Sequence, residues 1–149
     1  MSETFLSKGL WWLQLTLNSS VLILQSRKSS KTNSWTLVGG VVEEGETLIQ
    51  AAIREVVEEI ASGFVISEKD LELTMSFEET AASDPSKRMN MNIFLSNKNI
   101  DVELKTSEEI LEFYWYSIGD EHKVSNSIKD HLLPMLIEKG LMKEGKSNE

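Results

Sequence analysis

The sequence predicts an α+β domain, an α/β/α sandwich with a mixed central sheet. Three observations predict it. Residues 47–60 carry apolar side chains at helical spacing. Residues 125–140 do so again, with Ile128, Leu132 and Leu136 on one face. Short apolar runs bounded by turn signals occupy much of the remaining chain and read as strands. The apolar stripe of each helix needs a sheet face to cover it, which puts the sheet between the two helices.

Taken in order, residues 10–17 and 21–25 are short apolar runs separated by Asn18, Ser19 and Ser20, two strands joined by a turn. Residues 26–34 are polar and basic, a loop. Residues 35–38 form a short strand ending at Gly39 and Gly40. Residues 47–60 are the first helix. Residues 71–79 and 89–95 are strands, and the segment joining them carries the Asp84-Pro85 turn signal. Residues 111–117 are an aromatic-rich strand. In the second helix Pro134 removes a donor and crowds the preceding turn, which predicts a kink or a late start. One domain is expected over residues 1–142, with residues 143–149 a frayed, disordered tail.

Composition narrows the function. The chain has 149 residues, enough for one sizeable core. Its net charge, 15 − 24 = −9, argues against non-specific binding to nucleic acid or an anionic membrane. It leaves a small phosphate substrate open, because divalent cations on clustered carboxylates reverse the local sign. No apolar run is long enough to span a membrane. The first residues lack the pattern of a secretory leader, and with no cysteine there is no disulfide framework or thiolate metal site. A cytoplasmic protein is expected, as a monomer or a homodimer.

The first helix carries the chemistry. At about 100° per residue, Ile49, Ala52, Ile53, Val56, Val57 and Ile60 form an apolar stripe. Glu55, Glu58 and Glu59 gather on the opposite side at spacings of three and four, with Arg54 at their edge. Like charges at that spacing destabilise a helix. Two readings stand on helix geometry: a solvated acidic face, or a site for a hard divalent cation, which takes oxygen ligands.

A longer pattern separates them. From Gly40 the chain reads glycine, five residues, Glu46, seven residues, then Arg54-Glu55-Val56-Val57-Glu58-Glu59. This resembles the Nudix box, G-x5-E-x7-R-E-U-x-E-E-x-G-U with U aliphatic, over residues 40–62. The run Trp35-Thr36-Leu37-Val38-Gly39-Gly40 resembles the family's W-x-L-P-G-G approach to the box, and residues 109–118 resemble its late strand. Val38 stands where proline is usual, and Ala61-Ser62 stand where glycine and an aliphatic residue close the box. Neither departure touches a box carboxylate.

The resemblance implies an Mg²⁺-dependent pyrophosphohydrolase, with Mn²⁺ able to substitute, acting on a nucleoside diphosphate linked to another group. Glu58 and Glu59 would be the principal metal ligands, Glu55 a further ligand or an aid to deprotonating water, and the Gly39 carbonyl a fourth donor. Glu46 and Arg54 would form a supporting ion pair. A later carboxylate often assists in the family. Glu109 is the candidate here, with Glu108, Glu78 and Glu79 as alternatives, and the bland reading of each is a solvent-exposed glutamate. Arg27 stands where the family often has a phosphate-contacting base, with Lys28 and Lys31 beside it. Ordinary surface charge is the alternative. Trp35 would line the substrate pocket or pack against the loop. Trp11, Trp12 and Trp115 read as core, and His122 and His131 as surface or helix-face residues without ligand spacing. The small size resembles the branch that cleaves nucleoside triphosphates, including oxidised ones such as 8-oxo-dGTP, to monophosphate and pyrophosphate. An ADP-ribose or other nucleotide-sugar pyrophosphatase is the alternative. A non-catalytic nucleotide-binding Nudix domain is a third reading, though such domains usually lose box carboxylates and all are present here.

Overall fold

The computed structural model describes residues 5–15, 20–27, 33–60, 64–81, 84–100 and 102–142, without the side chains of 5–7, 80, 81 and 84–87. The expected tail at 143–149, the end of the box at 61–62, and Lys28 and Lys31 lie outside them. The chain divides into two compact units, Met1–Leu13 with Val38–Glu103, and Gln14–Leu37 with Leu104–Glu149. The elements in chain order are β1 (Phe5–Leu13), β2 (Val21–Ser26), β3 (Val38–Val41), α1 (Leu48–Ile60), β4 (Leu71–Ala81), β5 (Asp84–Ser96), β6 (Ile110–Tyr116) and α2 (Leu133–Glu138).

The first unit is a four-stranded sheet in the order β3-β1-β5-β4 with α1 packed on it. The sheet is mixed: β1 runs parallel to β5, with Leu10 opposite Asn92, while β1–β3 and β4–β5 are antiparallel. Leu10, Trp12, Val38 and Ile93 of the strands are buried, as are Ala51, Ala52, Val56 and Ile60 of α1. β1 starts earlier than the apolar run suggested. Polar side chains such as Lys8 are tolerated in it because its backbone is paired on both sides. β4 and β5 extend through most of the segment expected to be a loop, so the Asp84-Pro85 signal falls inside the start of β5. Proline is accepted at the first residues of a strand.

Two further boundaries moved. β3 does not stop at the glycine pair but runs through it, Gly39 facing Trp11 and Gly40 facing Leu10. α1 begins at Leu48 because Thr47 caps it. The Thr47 hydroxyl accepts from the Gln50 N–H at 3.1 Å, and the Gln50 side-chain carbonyl accepts from the Thr47 N–H at 3.0 Å. This reciprocal pair satisfies two backbone donors that the first turn leaves open. Thr47→Ala should lower stability by about 1 kcal/mol, read as a lower melting temperature with turnover retained.

In the second unit β2 pairs antiparallel with β6, Val21 opposite Tyr116 and Leu24 opposite Phe113. The helical segment before α2 is widened over Ile128–Leu132, where the Leu133 N–H donates to the Ile128 carbonyl. That wider turn stands directly before Pro134 and resolves the expected kink: proline cannot donate, and a π-type turn relieves its ring against the preceding carbonyl. Ile128, Leu132 and Leu136 are all buried.

Candidate active site

The loop from β3 to α1 turns at residues 43–46, closed by the Glu46 N–H on the Glu43 carbonyl at 3.0 Å. Gly45 sits there at φ +87°, a conformation that strains any residue with a Cβ. The Glu46 carboxylate reaches back to the Glu43 N–H at 2.9 Å, fixing the turn.

β3 is an edge strand of its sheet. The Val42 N–H donates to the Lys8 carbonyl at 2.8 Å, so by antiparallel alternation Gly39 and Val41 turn their backbone groups to the open edge. α1 closes that edge with box side chains. Glu59 Oε1 accepts the Gly39 N–H at 2.9 Å, and Arg54 Nη2 donates to the Val41 carbonyl at 3.1 Å. Unpaired edge groups are costly when covered, so the pairing dictates how α1 rolls onto the sheet. Around the helix, Glu55 and Glu59 lie between the buried Ala51 and Ala52. The expected stripe is therefore rotated: Ala51 is buried, Ile49 and Ile53 are half-buried, and Val57 is 51% exposed.

Two glycines make this close approach possible. A Cβ on Gly39 would stand 2.1 Å from the Leu10 carbonyl oxygen. A Cβ on Gly40 would stand 2.5 Å from Glu55 Oε1, so the Glu55 carboxylate lies in the space that the missing side chain leaves.

Arg54 is the hub of the charges. It meets Glu46 with two bonds, Nε to Oε2 at 2.7 Å and Nη2 to Oε1 at 2.9 Å. Its Nη1 meets Glu55 Oε1 at 2.7 Å and stands 3.6 Å from Glu58 and 3.7 Å from Glu43. The Arg54 hydrogen bond, then that from the Glu43 N–H, hold the Glu46 carboxyl below the usual range. Burial pushes the Glu55 carboxyl up, with Arg54 opposing it. The signs differ. A raised folded value means Glu55 ionises more easily in the unfolded chain, so its charge costs nothing below the unfolded value and costs most above the folded one. Glu46 stabilises above the unfolded value and loses that contribution as pH falls through the folded one. Without metal, Glu55→Gln should therefore gain melting temperature relative to the parent as pH rises from the acid range to neutrality. A difference flat with pH would contradict this.

The donor set suits a hard divalent cation: three carboxylates and the carbonyl of Gly39 at the open edge, all oxygen. The glycine cradle that lets Glu55 lie against β3 fits the same purpose. The three carboxylates do not converge as they stand. Among the described residues no three acidic or histidine side chains are gathered closely enough to hold an ion. Glu58 is turned outward, its side chain 58% exposed.

The alternatives Glu78 and Glu79 lie on β4, with β5 and β1 between that strand and β3. Three strand spacings are about 14 Å, and Glu78 pairs with Arg88 at 3.2 Å. The remaining candidates belong to the second unit. Glu108 and Glu109 are exposed in the turn before β6. Arg27, expected at a phosphate, donates from Nε to the Glu108 carbonyl at 2.8 Å. Trp35, expected to line a pocket, is only 7% exposed and stands edge-on to His122 and Tyr114. His122 is half-buried, stacked on Tyr114 at 3.8 Å between ring centroids, rather than a surface residue. The Thr47 cap, which the sequence reading missed by starting the helix at residue 47, has a local signal in its Thr-x-x-Gln spacing. The Arg27 contact had no sequence signal, since it joins residues 81 positions apart.

The chain belongs to the NUDIX domain family, whose model matches residues 13–136. Among solved structures it resembles the MutT protein from Methanosarcina mazei Go1, with 25% identity over 93% of this chain and 99% of that one, at a TM-score of 0.69. It resembles the E. coli dihydroneopterin triphosphate pyrophosphohydrolase with 27% identity over 72% and 78%, at a TM-score of 0.57. A UDP-X diphosphatase, 15% identical over 94% and 66% at a TM-score of 0.66, shares the fold. No curated protein matches the sequence. The fold is the α+β Nudix fold with a mixed sheet, and the protein is a hydrolase acting on pyrophosphate bonds of nucleotide derivatives. Among the described residues no helix is long and apolar enough to cross a membrane.

Proposed function

We propose that the protein hydrolyses a nucleoside triphosphate, oxidised forms such as 8-oxo-dGTP included, to the monophosphate and pyrophosphate, with Mg²⁺ held by Glu55, Glu58, Glu59 and the Gly39 carbonyl. The observation that carries the site is the packing of two box carboxylates onto β3, Glu55 over Gly40 and Glu59 on the Gly39 N–H. The triphosphate substrate is supported by the likeness to a pyrophosphohydrolase named for dihydroneopterin triphosphate. When bound, the cation would neutralise pyrophosphate oxygens and acidify a water. Glu55, its carboxyl raised by burial against the opposing Arg54, is the proton acceptor in this reading. It takes the proton of the attacking water as that oxygen bonds to one phosphorus of the α–β anhydride and the bridging P–O bond breaks, the other phosphate group leaving with the electron pair. Arg54 and Glu46 hold loop and helix together through their paired bonds.

The test is a nucleotide panel assayed with Mg²⁺, both products read by chromatography. Monophosphate and pyrophosphate from a triphosphate are expected. Preferential cleavage of ADP-ribose or another nucleotide-sugar would replace the triphosphate assignment. No Mg²⁺-dependent product from any compound would favour nucleotide binding without hydrolysis.

A further inference from the structure

The nitrogens of Arg54 have two kinds of partner. Nε and Nη2 are anchored: Nε donates to Glu46 Oε2 at 2.7 Å, and Nη2 donates to Glu46 Oε1 at 2.9 Å and to the Val41 carbonyl at 3.1 Å. Nη1 meets only the other carboxylates. It donates to Glu55 Oε1 at 2.7 Å and stands 3.6 Å from Glu58 Oε2 and 3.7 Å from Glu43 Oε2. One cationic nitrogen thus has three carboxylates around it, two of them from α1. The paired bond to Glu46 fixes the plane of the guanidinium and so holds Nη1 in place. A guanidinium keeps its proton at any working pH, so this charge stays where the fold puts it. The Arg54 and Glu55 side chains are only 22% and 14% exposed, and salt screens such a contact little. Glu59 stands apart from this arrangement, its Oε1 taken by the Gly39 N–H.

We infer that Arg54 Nη1 is a built-in counter-ion of Glu55 and Glu58 that competes with the divalent cation for them, so that Arg54 keeps the metal affinity of the site low. This rests on the assignment of Glu55 and Glu58 as metal ligands under the proposed function. Nη1 offsets the repulsion that the glutamate spacing builds into α1. A divalent cation offsets the same repulsion at the same oxygens. Two cations cannot both lie close to Glu55 without repelling each other, and the repulsion is strong where water is scarce. Arg54 therefore acts in two opposed ways. Its anchored nitrogens join loop and helix, which supports the site, while Nη1 holds back the ion that the site takes.

The test is Mn²⁺ binding to the full chain without nucleotide, read from the paramagnetic resonance signal of the free ion and made well below the melting temperature of each protein. Arg54→Gln should bind Mn²⁺ about tenfold more tightly than the parent, although its turnover falls. Glu46→Gln should bind it several-fold more weakly, because an Arg54 released from its anchor turns wholly to Glu55 and Glu58. A purely supporting ion pair predicts a different pattern: breaking it from either side misplaces the carboxylates and weakens binding in both variants. Equal or weaker binding by Arg54→Gln would therefore overturn the inference. Side-chain nitrogen NMR of the parent gives a second reading that does not depend on the folding of a variant. Saturating Mg²⁺ should shift the Arg54 Nη1 signal and quicken rotation about the Cζ–Nη1 bond, while the Nε–H held by Glu46 keeps its shift. An Nη1 signal indifferent to Mg²⁺ would overturn the inference too. A parent that binds no Mn²⁺ would overturn the metal site itself, a result distinct from Mn²⁺ binding that Arg54→Gln leaves unchanged.

Discussion

Gly39→Ala should lower the melting temperature sharply, and Gly40→Ala should leave the fold and remove most of the turnover. The two glycines are adjacent, but the atoms facing them differ in kind. At Gly39 the new Cβ would meet the Leu10 carbonyl at 2.1 Å and the Trp11 Cα at 3.0 Å, both main chain of the paired strand β1. Relief requires β3 to move off β1, which breaks the ladder that holds the edge. A cost on the order of 3–5 kcal/mol follows, large against the marginal stability of a domain this size. At Gly40 the three nearest atoms all belong to the Glu55 carboxylate, the end of a flexible side chain. It swings away at small cost to stability and leaves its place against β3. Melting temperature separates the two, low for Gly39→Ala and near the parent for Gly40→Ala. Mg²⁺-dependent turnover should be low in both. A Gly40→Ala protein with full turnover would remove Glu55 from the chemistry.

Arg54→Ala and Glu59→Gln should separate support from catalysis. Arg54 makes a paired contact with Glu46, a single one with Glu55 and one with the edge carbonyl of Val41. Removing it leaves a partly buried carboxylate and an open edge carbonyl without their partner, and returns the helix to the repulsion that its glutamate spacing implies. The melting temperature should fall by several degrees and turnover should fall with it. Glu59→Gln keeps an oxygen that can accept the Gly39 N–H, so the edge stays closed and only the charge is lost. That variant should melt near the parent without metal, yet lose turnover by about two to three orders of magnitude, on the order of 3–4 kcal/mol of barrier.

The parts of this site that were legible in the sequence are those governed by local spacing. The helix at residues 47–60 and its acidic run follow from short-range pattern, and the pairing of Glu46 with Arg54 was implied by the resemblance to the Nudix box. The roll of the helix was not legible. Apolar spacing put Val57 inside, whereas the backbone groups of β3 at Gly39 and Val41 draw Glu59 and Arg54 to the edge and carry Val57 out. A helical wheel holds no information about the needs of a neighbouring strand. The same limit explains the strand through Gly39-Gly40. Glycine disfavours strands on propensity, but close approach of a carboxylate and of β1 requires it there. The Arg27 contact depends on the pairing of β2 with β6, whose register local pattern leaves open.

The central claim is that the carboxylates of α1 hold a divalent cation. Melting curves of the parent and of Glu59→Gln, each with and without Mg²⁺, test it most directly, because a ligand of the folded state raises its melting temperature by mass action. The parent should show a clear Mg²⁺-induced rise and Glu59→Gln a much smaller one, and the two should melt at nearly the same temperature without metal. An Mg²⁺-induced rise of the same size in both proteins, with turnover intact in Glu59→Gln, would contradict it and leave α1 as a solvated acidic helix.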